Sequence, residues 1–158
     1  AGLGLPGVAL ALMPVNDNEE EYVEGVTDGV AGTHWGLLVY FRPQNAFALF
    51  DSLGCTLRGQ CLHAVAKLSA SFGAAGPAFV VEKGAPRQVN DYDCGAYVCV
   101  VAEALVRSFL DTGRLPTGEE LAEITPEFVK ERRGAMRRLV ERDRQARGGT
   151  AARVWESE

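Results

Sequence analysis

The sequence has only two histidines and four cysteines, and neither set is laid out for a structural purpose. Cys55, Cys61, Cys94 and Cys99 form no C-x-x-C pair, so a disulfide framework is not expected and the usage suits a reducing compartment. Cys55, Cys61 and His63 could be imagined around zinc, but two or three ligands at that spacing are weak grounds for a metal site. No apolar run is long enough to span a bilayer, and no stretch reads as a secretory signal. A cytoplasmic or nuclear location follows as the expectation. With 16 bases against 21 acids the net charge is −5, which argues against nonspecific binding of nucleic acid. There are no internal repeats. At 158 residues and 47% apolar, the chain has material for one ordinary core. We expect a single domain over residues 1–147, a frayed tail over 148–158 and a monomer.

What is present is concentrated around Cys94. It lies in QVNDYDCGAYVC (Gln88 to Cys99), where a polar turn gives way to an apolar run, so it is expected at the start of a helix. The free N–H groups and dipole of a helix N-terminus favour thiolate over thiol, and the thiolate is the nucleophile. A nucleophilic thiol needs a base. His63 lies in the amphipathic QCLHAVAKL, an ordinary helix pattern, whereas His34 opens HWGLLVYF at a strand end, where scaffolds present catalytic groups. AFALFD (Ala46 to Asp51) reads as the returning strand after a turn at Pro43, Gln44 and Asn45. One strand beginning at His34 and its neighbour ending at Asp51 bring both to one end of a hairpin. There Asp51 can orient the imidazole that activates Cys94.

Gln88, six positions before Cys94, supplies a side-chain amide that can join the Cys94 N–H in an oxyanion hole. Asp93 reads as a helix cap and Gly95 as room for close backbone approach. Trp35 reads equally well as a core residue or as part of the site. Cys99, on the same helix as Cys94, is expected to be buried.

The order His, Asp, Gln, Cys, with HWGLLVYF, FDSLG and QVNDYDCGAYVC, resembles the ubiquitin-like-modifier protease family that acts on SUMO-type modifiers. The resemblance runs from about Leu5 to about Leu139. VEKGAP (Val81 to Pro86), VAEAL (Val101 to Leu105), LAEITPEFVKERRGAMRRLV (Leu121 to Val140) and NDN (Asn16 to Asn18) are most similar to its deneddylase branch. Papain-like enzymes, by contrast, place the cysteine first and the histidine far downstream.

The resemblance implies a cysteine isopeptidase that removes the neddylation modifier from cullins or other lysines, or matures its precursor after Gly-Gly. It implies that Trp35 roofs a tunnel for the Gly-Gly tail; a flat rigid ring can cover a chain without side chains. No metal or organic cofactor is implied. A SUMO-specific protease, an inactive modifier-binding fragment and a thioester-mediated acyltransferase are the alternatives. The family's N-terminal helices have no counterpart here, so half of the modifier groove is expected to be absent. Gly36 stands where the family commonly has serine, a change expected to affect packing.

The loop 19–32 is acidic and is expected to be a solvated loop rather than a gate over His34. Between Asp17 and Asp28 six acids occur without a base, while Lys130 to Arg147 carries eight bases against three acids. The stretch FVKERRGAMRRLVERDRQAR (Phe128 to Arg147) reads as an amphipathic helix packing through Phe128, Val129, Met136, Leu139 and Val140, its charged face solvated rather than partnered. Strands are expected at Val8 to Val15, from His34, up to Asp51 and at Ala78 to Glu82, and helices at Gln60 to Phe72, from Cys94 to about Leu110, after Thr117 and after Thr125-Pro126. Non-alternating strands and helices indicate an α+β, cysteine-proteinase-like fold with a mixed central sheet flanked by helices.

Overall fold

The apolar run after His34 becomes an inner strand of the sheet in the computed structural model, which describes residues 5, 7–18, 32–73, 75–82 and 84–147. Strands β1 (Leu10–Asn16), β2 (Trp35–Phe41), β3 (Ala46–Phe50) and β4 (Ala78–Val81) pair in the order β1-β2-β3-β4. The first two pairings are antiparallel and β3–β4 is parallel. Helices α1 (Arg58–Leu68), α2 (Cys94–Thr112), α3 (Gly118–Leu121) and α4 (Pro126–Ala146) accompany the sheet. The mixed sheet flanked by helices is the expected α+β class. The acidic segment 19–31 and the tail 148–158 lie outside the described residues.

Successive strand residues face opposite ways, and here both faces are covered. Leu37, Val39, Ala48 and Phe50 pack with Tyr97, Val101 and Leu105 of α2 and Val129 of α4. Leu38, Tyr40, Phe47 and Leu49 pack with Leu57, Cys61, Val65 and Phe72 on the α1 side. This explains why β2 is buried at every position after Trp35 and why its sequence is continuously apolar rather than alternating. The β2–β3 connection is a 3-10 turn, Arg42–Gln44, closed by Asn45 at φ 45°, a left-handed conformation that asparagine tolerates better than most residues.

Helix ends follow their capping residues. Gly113, at φ 72°, ends α2; Thr117 and Glu120 form a capping box on α3; Thr125 accepts the Phe128 N–H ahead of Pro126 in α4. The first strand begins two residues later than expected, and α1 gives way at Ser69–Phe72 to a 3-10 turn.

Two expectations fail for a geometric reason. Cys99 is exposed: at about 100° per residue it lies about 140° around α2 from Cys94, off the face that buries Tyr97, Val101 and Leu105. On α4 only Val129 is fully buried and Met136 packs partly against the core, while Leu139 and Val140 are 61% and 66% exposed. Every residue from Arg137 to Arg147 is exposed, because the helix continues past the end of the layer it covers.

Candidate active site

The sheet gathers the candidate residues at one end. Leu37 pairs with Phe50 across β2–β3, so His34, just before β2, and Asp51, just after β3, come together. His34 Nε2 lies 2.7 Å from Asp51 Oδ1. Asp51 also accepts the Leu53 N–H at 2.9 Å, the Thr56 hydroxyl at 2.9 Å and the Leu57 N–H at 3.3 Å, although no part of it reaches solvent. Burial pushes its carboxyl up, but these hydrogen bonds, led by His34, outweigh burial and hold it below the usual carboxylate range. An ionised carboxylate only accepts, so His34 Nε2 carries the proton and Nδ1 the lone pair. That Nδ1 is buried and without a hydrogen-bond partner.

Cys94 is the first residue of α2 and is buried. It lines a narrow slot with Trp35, Ser52, Pro86, Tyr97 and Val98. At about 10 Å³ the slot has room for roughly one water. Trp35, 40% exposed, is also a wall of a broader groove of about 740 Å³ beside α1, which Cys94 does not reach. No hydrogen bond joins Cys94 to His34 Nδ1.

Gln88 arrives on the loop between β4 and α2. Its N–H donates to the Ser52 carbonyl at 3.2 Å, its Oε1 accepts the Ser52 hydroxyl at 2.5 Å, and its Nε2 donates to the Asn90 carbonyl at 2.6 Å. A primary amide has two N–H donors, so one is left for a ligand. Tyr97 steadies the same loop by donating to the Arg87 carbonyl at 3.0 Å. Burial, then the charges of Asp93 and Glu127, push its phenol up and keep it a donor.

Asp93 is not the cap that its position predicts. It occupies the N-cap of α2 but makes no side-chain capping bond. Its carboxylate accepts Asn90 Nδ2 at 2.8 Å and Arg133 Nη1 at 2.5 Å instead, and it is 4% exposed. Gly36 does serve packing: a Cβ there would meet Leu57 Cδ1 at 2.7 Å and the Phe50 carbonyl oxygen at 3.3 Å. Gly95 has open space where a Cβ would stand, so no close approach requires it.

Sequence reasoning passed over several residues that hold the site. Asp17 accepts the Thr33 hydroxyl at 2.6 Å and the His34 N–H at 3.0 Å, and its own N–H donates to the His34 carbonyl at 3.2 Å. The Thr33 bond, then that from His34, lowers the Asp17 carboxyl. Thr56, Ser52, Asn90 and Arg133 were likewise unmarked. Cys61 is buried and Cys55 exposed; burial, then the Asp51 charge, push the Cys61 thiol up to about 11. Among the described residues no three His, Cys, Asp or Glu side chains cluster as metal ligands, and no helix is long and apolar enough to cross a membrane.

Known proteins resemble the chain in sequence and fold. The model of the Ulp1 protease family, C-terminal catalytic domain, matches residues 8–131. Human sentrin-specific protease 8 is 37% identical over 143 residues, covering 87% of this chain and 61% of the relative. NEDD8-specific protease 1 of Arabidopsis thaliana is 31% identical over 147 residues, covering 89% and 62%. The chain thus spans about three fifths of the length of these curated relatives. A solved structure, the SUMO protease Ulp1 with its catalytic cysteine oxidized to a sulfinic acid, superposes with a TM-score of 0.51 at 17% identity, over 79% of this chain and 50% of that one, a likeness of fold. The family match extends over most of the chain and contains the His34–Asp51 pair, the Gln88 loop and Cys94, and on it the chain belongs to the Ulp1 protease family.

Proposed function

We propose that this chain carries the catalytic centre of a cysteine isopeptidase that releases a ubiquitin-like modifier, NEDD8 by preference, from lysines of target proteins such as cullins, or trims its precursor after Gly-Gly. The observation that carries the reading is the His34 ring: Nε2 is tied to Asp51 at 2.7 Å, while Nδ1 is the buried nitrogen left without a partner. That is the state of a base waiting for a proton. One of the relatives above is named NEDD8-specific protease 1, which supports the choice of modifier.

In this mechanism the glycine tail enters at Trp35 and widens the slot, which at rest holds roughly one water. His34 Nδ1 takes the Cys94 proton, and the thiolate attacks the terminal glycine carbonyl. The oxyanion is met by the Cys94 N–H and the spare Nε2 proton of Gln88. His34 then gives its proton to the leaving lysine amine, and the C–N bond breaks to leave a thioester. A water, deprotonated by His34, hydrolyses it and returns the thiol. Asp51 holds the imidazolium in place throughout.

Incubation with NEDD8, SUMO and ubiquitin probes bearing a C-terminal electrophile tests the reading. Covalent capture of wild type by the NEDD8 probe, lost in Cys94→Ala, is the expected result. A folded chain that no probe labels overturns it, and capture by the SUMO probe alone would overturn the modifier assignment.

A further inference from the structure

The ion pair beneath the nucleophile has no part in the chemistry above. Arg133 of α4 reaches across a sequence separation of 40 residues to put Nη1 2.5 Å from Asp93 Oδ1. Asp93 is the residue before Cys94, and at 4% exposure its charge is poorly screened by water. The carboxylate's other oxygen accepts Asn90 Nδ2 at 2.8 Å, and Asn90 Oδ1 accepts the N–H groups of Tyr92 and Asp93 at 3.2 and 3.0 Å. The Asn90 carbonyl in turn holds the Gln88 amide at 2.6 Å. The same guanidinium lies 5.0 Å over the Tyr92 ring. One cation thus ties together the turn that presents both Gln88 and Cys94.

A buried carboxylate one residue before the nucleophile is a liability unless it is paired. This one stands at the N-cap of α2, one residue before Cys94, where an unpaired charge would face any anion formed at the sulfur. Asp93 does not spend its charge on the helix, since it makes no capping bond. Arg133 offsets it, and its own side chain remains 41% exposed, so the cation is only partly desolvated.

We propose that Arg133 is a positioning residue for the nucleophile: it neutralises Asp93 and, through Asp93 and Asn90, fixes the turn that aims Gln88 and Cys94 at one carbonyl. This rests on the reading of Cys94 as nucleophile. Neither Arg133 nor Asp93 lines the slot beneath Trp35, so the effect belongs to kcat rather than KM.

The test pairs turnover of a fluorogenic C-terminal NEDD8 amide with iodoacetamide alkylation of Cys94, read at the Cys94 peptide by mass spectrometry. Arg133→Gln is expected to lower kcat and the alkylation rate by about tenfold with KM within about twofold, the scale of one unpaired neighbouring charge. Arg133→Lys recovers most of both. Asp93→Asn placed on Arg133→Gln removes the stranded charge and restores the alkylation rate toward wild type. A double variant as slow as Arg133→Gln, or a loss confined to KM, overturns the proposal. Alkylation needs no modifier, so an unlabelled wild type in the probe experiment would remove the isopeptidase reading while leaving the ordering of alkylation rates to decide the role of Arg133.

Discussion

Asp51 holds His34 by one ring nitrogen and leaves the other buried and unpaired. The carboxylate has three further donors, the Leu53 N–H, Thr56 Oγ1 and the Leu57 N–H, so it cannot turn away to follow a different histidine rotamer. Asp51→Asn is nearly isosteric, but its amide can present an N–H to His34 Nε2 and so favour the tautomer with the proton on Nδ1. A proton there removes the base. We expect kcat to fall by about 10²- to 10⁴-fold with the fold intact. Steady-state kinetics beside circular dichroism would check this, and a loss under tenfold would remove Asp51 from the mechanism.

The same carboxylate gives stability a pH dependence. Its folded-state pKa is lowered, so its contribution is complete above the unfolded value of about 3.9 and is lost as the pH falls through the lower folded value. Asp17 is shifted the same way, though it is exposed enough for solvent to screen most of its effect. Urea midpoints of wild type should therefore drop across the window below about pH 4, where the unfolded chain binds protons first. Asp51→Asn, less stable at neutral pH, should show a shallower slope there. Parallel curves for the two proteins would mean that Asp51 contributes nothing to the acid transition.

Asp17 and His34 close a latch in both directions, backbone to backbone and side chain to backbone. The imidazole position depends on that latch because His34 precedes the first regular residue of β2. Asp17→Ala should lower kcat by about tenfold, the scale of a sub-ångström misplacement of a catalytic group. Asp17→Asn keeps an acceptor for the His34 N–H and should lose clearly less. Equal losses in the two variants would point to charge rather than to the hydrogen bond.

The parts of the site that could be read from sequence were those carried by local pattern. A polar turn before an apolar run located the start of α2 at Cys94, and two apolar runs around Asn45 located both ends of the β2–β3 hairpin, hence His34 and Asp51. The parts that escaped are joined over long separations: Asp17 to His34, Ser52 to Gln88, Asp93 to Arg133. No local window contains both members of such a pair. Asp93 is the instructive case, because its N-cap position was right and its role was not; a cation arriving from α4 drew the carboxylate off the helix. Cys99 was misplaced because its small apolar type was weighed above its angle around α2.

Gly84 depends in the same way on a residue far along the chain. A Cβ on Gly84 would stand 2.7 Å from Gly118 Cα, a backbone atom at the start of α3 that has no rotamer with which to yield. Gly84→Ala should push α3 away from the start of the loop that carries Gln88, costing about 1–3 kcal/mol. Thermal melts would register this as a lowered midpoint, and an unchanged midpoint would show that α3 is free to shift.

In the proposed mechanism Gln88 is the oxyanion donor and Ser52 the group that aims it. The Ser52 hydroxyl donates to Gln88 Oε1 at 2.5 Å and the Asn90 carbonyl takes one Nε2 proton, so the amide plane is set by both. Gln88→Ala removes the donor and should cost about 10²- to 10³-fold in kcat. Gln88→Glu, which keeps the shape but substitutes an anion for the donor, should be at least as damaging, since it would oppose the developing oxyanion. Ser52→Ala leaves the donor and the Asn90 bond in place, so its loss should stay within about tenfold. The order Ser52→Ala, then Gln88→Ala, then Gln88→Glu follows from charge at the oxyanion. If Gln88→Glu retained more activity than Gln88→Ala, packing of the loop would outrank donation as the function of that side chain.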